Sequence, residues 1–276
     1  MFENILPDSN LHIYYFESLI TYEIEKKFDF DNRIYIGNWV EEESSFLFFT
    51  QNVDNKINEL IEKYNLKLLD KFEMTYESWC GDSISYIKAG SFVIVPPWVQ
   101  KNIKKNEIRI NLHPGVVFGA GNHQTTFDCL QAIEMVYKLE QIKSMIDIGT
   151  GTGVLAIAGA KLGISNIIGV DLNPLAAKTA KNNIFRNNLE KKILIIRALG
   201  QSYINTKTDL LVSNIHYDIL KVIINSKGFL EKKYFILSGL LPSQGKKILN
   251  TLENMPLSII KIWDHHWLTC LGKIDL

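Results

Sequence analysis

The chain has 276 residues, 46% of them hydrophobic and 22% charged, which suits a small domain plus a medium one with a sizeable core. Thirty Lys and Arg balance thirty Asp and Glu; this neutrality argues against nucleic acid as the main partner, although it can hide a local basic patch. Cys80, Cys129 and Cys270 are odd in number and far apart, so reduced thiols in a cytosolic protein fit better than a disulfide framework or a zinc site.

The N-terminal MFENILPDSN has no basic segment leading into an apolar core, so no signal peptide is expected. Residues 11–16 read as a short strand, 17–28 as a weakly helical stretch, and 34–40 and 46–50 as two further strands around the acidic turn at 41–43. Residues 54–64 carry Ile57, Leu60, Ile61 and Tyr64 at helical spacing, with Asp54 as the expected N-cap. A small α+β domain over residues 1–70 results. Residues 71–110 are assigned as connector and lead-in strands, because the strand at 91–95 runs into Pro96-Pro97 and proline cannot continue a ladder.

From residue 111 the third segment is a regular α/β domain reaching to residue 276. Helices are expected at 125–140, 154–162, from Pro174, at 217–227 and at 243–253. Strands are expected at 144–149, 166–171, 192–197, 209–215 and 234–240. Such alternation means a doubly wound parallel sheet. Two β-rich runs over 258–274, with no helix between them, add an antiparallel terminal hairpin. No apolar run is long enough to span a membrane, so a cytoplasmic protein is expected.

Three segments carry the chemistry. Residues 145–153, MIDIGTGTG, leave a strand through three alternating glycines, which lets a ligand approach the turn without meeting a Cβ. The nicotinamide fingerprint would put its third glycine where Val154 stands. Asp147 at this entrance opposes a pyrophosphate and suits a ligand with ammonium and sulfonium groups, as S-adenosylmethionine has. Asp171, ending the next strand, is placed to accept from ribose hydroxyls. In residues 118–126, FGAGNHQTT, Thr125 or Thr126 can cap the following helix, or the Thr126 hydroxyl can reach a cofactor. Asn214 ends the fourth core strand, where open α/β sheets bind their ligands; it either orients a substrate amine or caps the next helix. His216 is expected to be second to the chemistry or exposed. His265 and His266 adjoin in a strand and point to opposite faces, and His12, His113 and His123 are scattered, so no metal site is expected.

Taken together, these segments resemble the ribosomal protein L11 methyltransferase family. Phe118, Gly119, Gly121, His123, Thr125 and Thr126 match its loop, Asp147 to Gly153 its cofactor motif, Gly169-Val170-Asp171 with Pro174 its second acidic motif, and Asn214-Ile215 the motif after the fourth strand. The resemblance implies a seven-stranded methyltransferase sheet with its last strand antiparallel, behind a substrate-recognition domain. It also implies a cofactor site at Phe118, His123, Thr125, Thr126, Asp147, Gly149, Thr150, Gly151, Gly153, Asp171, Asn173 and Asn214, with Asn214 and Ile215 in the catalytic position. The implied reaction transfers methyl groups from S-adenosylmethionine to lysine side chains or the N-terminal amine of the ribosomal protein, free or ribosome-bound. Neither direct nucleic-acid binding nor a membrane is required, and a monomer is expected. Ala120, Asn122 and His216-Tyr217 depart from the family pattern, which keeps open the alternative of another protein lysine or a small-molecule amine.

Overall fold

The computed structural model describes residues 5–275 apart from 18, 29, 42, 82–84, 118 and 120, and the chain divides into two compact units. Residues 5–81 form the first, with which residues 173–175 group, and residues 85–172 and 176–275 form the second.

The first unit runs β1 (Asn10–Phe16), α1 (Tyr22–Phe28), β2 (Tyr35–Glu41), β3 (Ser44–Phe49), α2 (Asp54–Tyr64), β4 (Leu68–Thr75) and α3 (Tyr76–Cys80). Its four strands are antiparallel in the order β2-β3-β1-β4. Tyr14 and Phe16 of β1 and Leu47 and Phe49 of β3 alternate onto one face and meet Ile57 and Leu60 of α2 in a buried core. Asp54 does not cap α2: Val53 holds that position and no side chain closes the end. Asp54 instead accepts from the Tyr14 hydroxyl at 2.8 Å and from Lys71 Nζ at 2.6 and 2.8 Å. The Lys71 bond above all holds its carboxyl down at about 2. No residue of β4 is fully buried; pairing along β1, from Asn10↔Thr75 to Phe16↔Leu68, makes it a strand and carries this unit past residue 70.

The second unit opens with a three-stranded sheet of β5 (Ile87–Ala89), β6 (Phe92–Val95) and β7 (Ile108–Asn111), β6 and β7 being parallel. After α4 (Gln124–Leu139) come β8 (Ser144–Ile148), α5 (Val154–Leu162), β9 (Asn166–Asp171), α6 (Pro174–Arg186), β10 (Ile193–Arg197), β11 (Leu210–Asn214), α7 (Tyr217–Ile224), β12 (Tyr234–Leu240), α8 (Pro242–Leu252), β13 (Leu257–Asp264) and β14 (Leu268–Ile274). The seven-stranded sheet has the order β10-β9-β8-β11-β12-β14-β13. Five strands are parallel, and β14 enters antiparallel between β12 and β13. This is the doubly wound sheet with an antiparallel terminal hairpin that the alternation and the two terminal β-rich runs predict, with the seven strands that the resemblance implies. His265 and His266 lie in the bend joining β13 to β14, not within a strand as expected: the ladder stops at the Asp264↔Leu268 pair.

The strand order reverses direction at β8. Successive connections run outward from β8 through β9 to β10, then return to β11 on its other side. Loops leaving the carboxyl ends of β8 and β11 therefore diverge and leave a crevice between them. Asp147 and Asn214 both stand at this end, in strands whose register pairs Val212 with Asp147 and Ser213 with Ile148.

Candidate active site

The turn after β8 is shaped by its glycines. Gly149, Gly151 and Gly153 have φ of 77°, 55° and 83°, values that a side chain disfavours. A Cβ on Gly149 would stand 2.0 Å from Ile215 Cγ2. The Gly149 and Thr150 amides donate to Val170 O at 2.8 and 3.1 Å, which folds the turn onto the end of β9. There Asp171 accepts from the Gly151 amide at 2.9 Å.

Asp147 is fully buried. The Thr150 hydroxyl donates to its Oδ2 at 2.6 Å, while Oδ1 is buried with no partner. Burial pushes this carboxyl up to about 7; Thr150 and, more weakly, the Ala156 backbone amide oppose the rise, and Asp171 adds repulsion. A buried acceptor left open at the mouth of a glycine turn is the arrangement that receives a cation or an N–H donor.

The second loop closes against the first. Thr152 donates its hydroxyl to Gly119 O at 2.5 Å, and Gly119 and Gly121 both take positive φ, 95° and 100°. Phe118 lies outside the described residues. The cap of α4 is His123, in place of the expected threonines: its ring nitrogen Nδ1 accepts from the Thr125 amide at 3.4 Å. Thr125 and Thr126 fall inside the first turn, both buried, and Thr126 Oγ1 has no partner.

This cap sets the direction of a hydrogen-bond relay. Because Nδ1 accepts from the Thr125 amide, it also accepts from the Thr125 hydroxyl 2.7 Å away. Burial lowers the His123 pKa, which keeps the ring neutral and able to accept. Thr125 Oγ1 in turn accepts from Asn214 Nδ2 at 3.1 Å. The amide nitrogen of Asn214 is thereby committed, and its Oδ1, buried and without a partner, is the end left for a ligand. The alternative of Asn214 as a helix cap does not hold, since His216 is the N-cap of α7. His216 itself is exposed.

Ile215 brings no polar side chain. Its side chain covers Gly149, and its amide donates to Ser238 O at 3.2 Å. Asn173 Oδ1 accepts the Leu175 amide at 2.9 Å and so shapes the start of α6. Three further residues belong to the constellation. Gly239 takes φ of 85°, where a Cβ would sit 2.7 Å from Ile215 O and 3.2 Å from Asn214 Oδ1. Trp267 meets the His123 ring edge-to-face at 5.3 Å. Asp128, buried on α4, accepts from Gln124 Nε2 at 2.9 Å and from Thr269 at 3.4 Å. None of the three belongs to the motifs read from the sequence, and a lone Asp in an apolar helix gives no spacing signal.

The residues present fit S-adenosylmethionine. The tight glycine turn is flanked by the open Asp147 Oδ1 and by the Asp171 carboxylate, and the Thr126 hydroxyl and Asn214 Oδ1 are buried without partners. No helix of the described residues is long and apolar enough to cross a membrane.

Comparison with known proteins adds the family. The profile of the family described as ribosomal protein L11 methyltransferase matches residues 13–274. Ribosomal protein L11 methyltransferases from two Clostridium perfringens strains are each 30% identical over 209 residues, 73% of this chain and 66% of the relative. The chain thus aligns with just under two thirds of those relatives' length. The crystal structure of the ribosomal protein L11 methylase from Lactobacillus delbrueckii subsp. bulgaricus superposes with a TM-score of 0.60 at 27% identity, covering 69% of this chain and 99% of that one. With the profile running through both units and the glycine turn, the loop and Asn214 gathered at one end of the sheet, the chain belongs to the ribosomal protein L11 methyltransferase family.

Proposed function

We propose that this protein is an S-adenosylmethionine-dependent N-methyltransferase acting on amino groups of ribosomal protein L11, on lysine side chains or the N-terminal amine. The observation that carries the reading is Asn214. Its amide nitrogen is held by Thr125, and its buried oxygen faces no donor. An acceptor fixed in this way beside a cofactor turn orients an incoming amine by taking one N–H, which leaves the nitrogen lone pair free. The family match and the printed names of the relatives support both the reaction and the substrate.

Asp147, with its open oxygen, receives the positively charged end of the cofactor, the glycine turn lets the cofactor approach, and Asp171 faces its sugar. When bound, S-adenosylmethionine supplies a methyl group on a positively charged sulfur. A lysine ammonium has no lone pair to attack it, and neutralising a lysine at pH 7 costs roughly 4–5 kcal/mol. Neutral His123 has its Nδ1 occupied by Thr125, so proton loss to water before the amine enters is the route assigned here. Burial favours the neutral amine, and positioning by Asn214 does the rest.

The test is transfer of labelled methyl from the cofactor to purified ribosomal protein L11. Acid-stable label on lysine or the N-terminal amine is expected. Label that appears on other proteins of a lysate but never on L11 sinks the substrate, and calorimetry showing NAD bound in place of S-adenosylmethionine sinks the cofactor.

A further inference from the structure

The formal neutrality of the chain divides unevenly. Residues 1–84 hold 17 Asp and Glu against 7 Lys and Arg, whereas residues 85–276 hold 13 against 23. The second unit is therefore strongly basic, and three of its acids, Asp128, Asp147 and Asp171, are spent in the constellation at the carboxyl ends of the strands.

At the opposite end of the same sheet lies a cavity of about 280 Å³. Its walls are the amino ends of β8, β9 and β10 and the residues just before β11, and Lys191, Lys192 and Lys207 line it with Thr208. None of these lysines meets a carboxylate at ion-pair distance among the described residues. Glu190 is the acid in the wall. The neighbouring Asp209 is committed to the amides of Lys143 and Ser144 and to Lys233.

Crowding of like charge marks the place. Lys161 is held below the usual lysine range by burial and then by Lys192. Lys192 Nζ reaches one carbonyl, Ala160 O, at 3.4 Å. Thr208 Oγ1 is buried with no partner, and Leu194 offers an exposed apolar edge beside the lysines. Five-residue strands set this cavity roughly 15 Å from the Asn214 end, so it is separate from the methyl-transfer site.

We propose that this amino-end face is a docking surface for the phosphodiester backbone of RNA. Lysine ammonium groups gathered without counter-ions are a phosphate-binding arrangement, and the positive excess of the whole unit extends the field beyond the cavity. The choice of RNA rests on the reading that the substrate is a ribosomal protein, whose working neighbours are RNA. The contact would hold the enzyme beside a substrate already on RNA while leaving the other end of the sheet open.

The test uses the full chain and a labelled single-stranded RNA followed by fluorescence anisotropy. Binding at about 50 mM salt is expected to weaken by an order of magnitude or more by about 200 mM. The combined variant Lys191→Glu, Lys192→Glu, Lys207→Glu is expected to bind the RNA at least about tenfold more weakly, and its salt slope to fall by about 2, as loss of three phosphate contacts to a single strand predicts. Methyl transfer to free ribosomal protein is expected to be unchanged in that variant. Absence of RNA binding by the unaltered chain overturns the proposal, and so does undiminished binding by the variant. Displacement of RNA by micromolar AMP overturns it in favour of a small-nucleotide site. The anisotropy, salt and displacement readouts need no methylation of L11, so failure here is distinguishable from failure of the proposed reaction.

Discussion

Asp54 of the acidic first unit and Asp147 of the basic second unit are held in opposite ways. In the first, Asp54 sits part-exposed between Tyr14 and Lys71, and its pairing drives the carboxyl down to about 2. In the second, Asp147 is shut away from water with one oxygen open, and burial drives it up to about 7. A carboxylate that ties structure together is matched by a cation; one that waits for a ligand is left unmatched at some cost in stability.

The strongest way to break this comparison is acid titration of the free protein. A buried acid whose folded pKa exceeds its unfolded value gives stability that is complete below about pH 4 and is lost as pH rises through about 7. For Asp147 the loss is at most roughly 4 kcal/mol, and Asp147→Asn should flatten it. Denaturant melts of both proteins between pH 4 and 8 check this, and equal slopes would contradict the assignment. Asp54 should behave the other way: its contribution is present above about pH 4 and fades as pH falls through about 2.

Asn214→Ala should lower kcat by roughly 10²-fold, since it removes an orienting contact at the reacting nitrogen, while calorimetric affinity for S-adenosylmethionine stays within a few-fold. Thr125→Val, which frees the Asn214 amide to turn, should cost a smaller part of the same kcat. Full activity in Asn214→Ala would place amine recognition elsewhere.

Gly149→Ala should destabilise by roughly 2 kcal/mol, because φ of 77° and the 2.0 Å approach to Ile215 act together. Adding Ile215→Ala should recover the steric part but not the backbone part. The smallest effect is expected in the first unit. Asp54→Ala should cost about 1 kcal/mol or less by urea melting, as its partner Lys71 is partly solvated, with methyl transfer unaltered.

Much of the second unit is legible from residues in order. Strands such as 166–171 and 234–240 are short apolar runs between helices, and burial on both faces writes itself into sequence as continuous Ile, Leu and Val. The glycine turn is equally plain, since three alternating glycines have little other use. In the first unit β4 was not legible: an edge strand carrying Asp70, Lys71 and Glu73 has no buried face to impose alternation. The capping role of His123 was hidden for a related reason, because two threonines beside it are better caps by type and only their burial in the first turn removes them from the choice.

By itself, then, the sequence determined the alternating α/β order, the sharp turn after β8, the acid at the tip of β9 and the asparagine at the tip of β11, because local periodicity and backbone permissiveness are properties of neighbouring residues. Tertiary structure alone decided which end of Asn214 faces a ligand. That direction passes from His123 through Thr125 to a residue 89 positions away, and no spacing along the chain encodes it. It also decided that lysines at 191, 192 and 207 share one cavity, since charges add in space and not along the sequence.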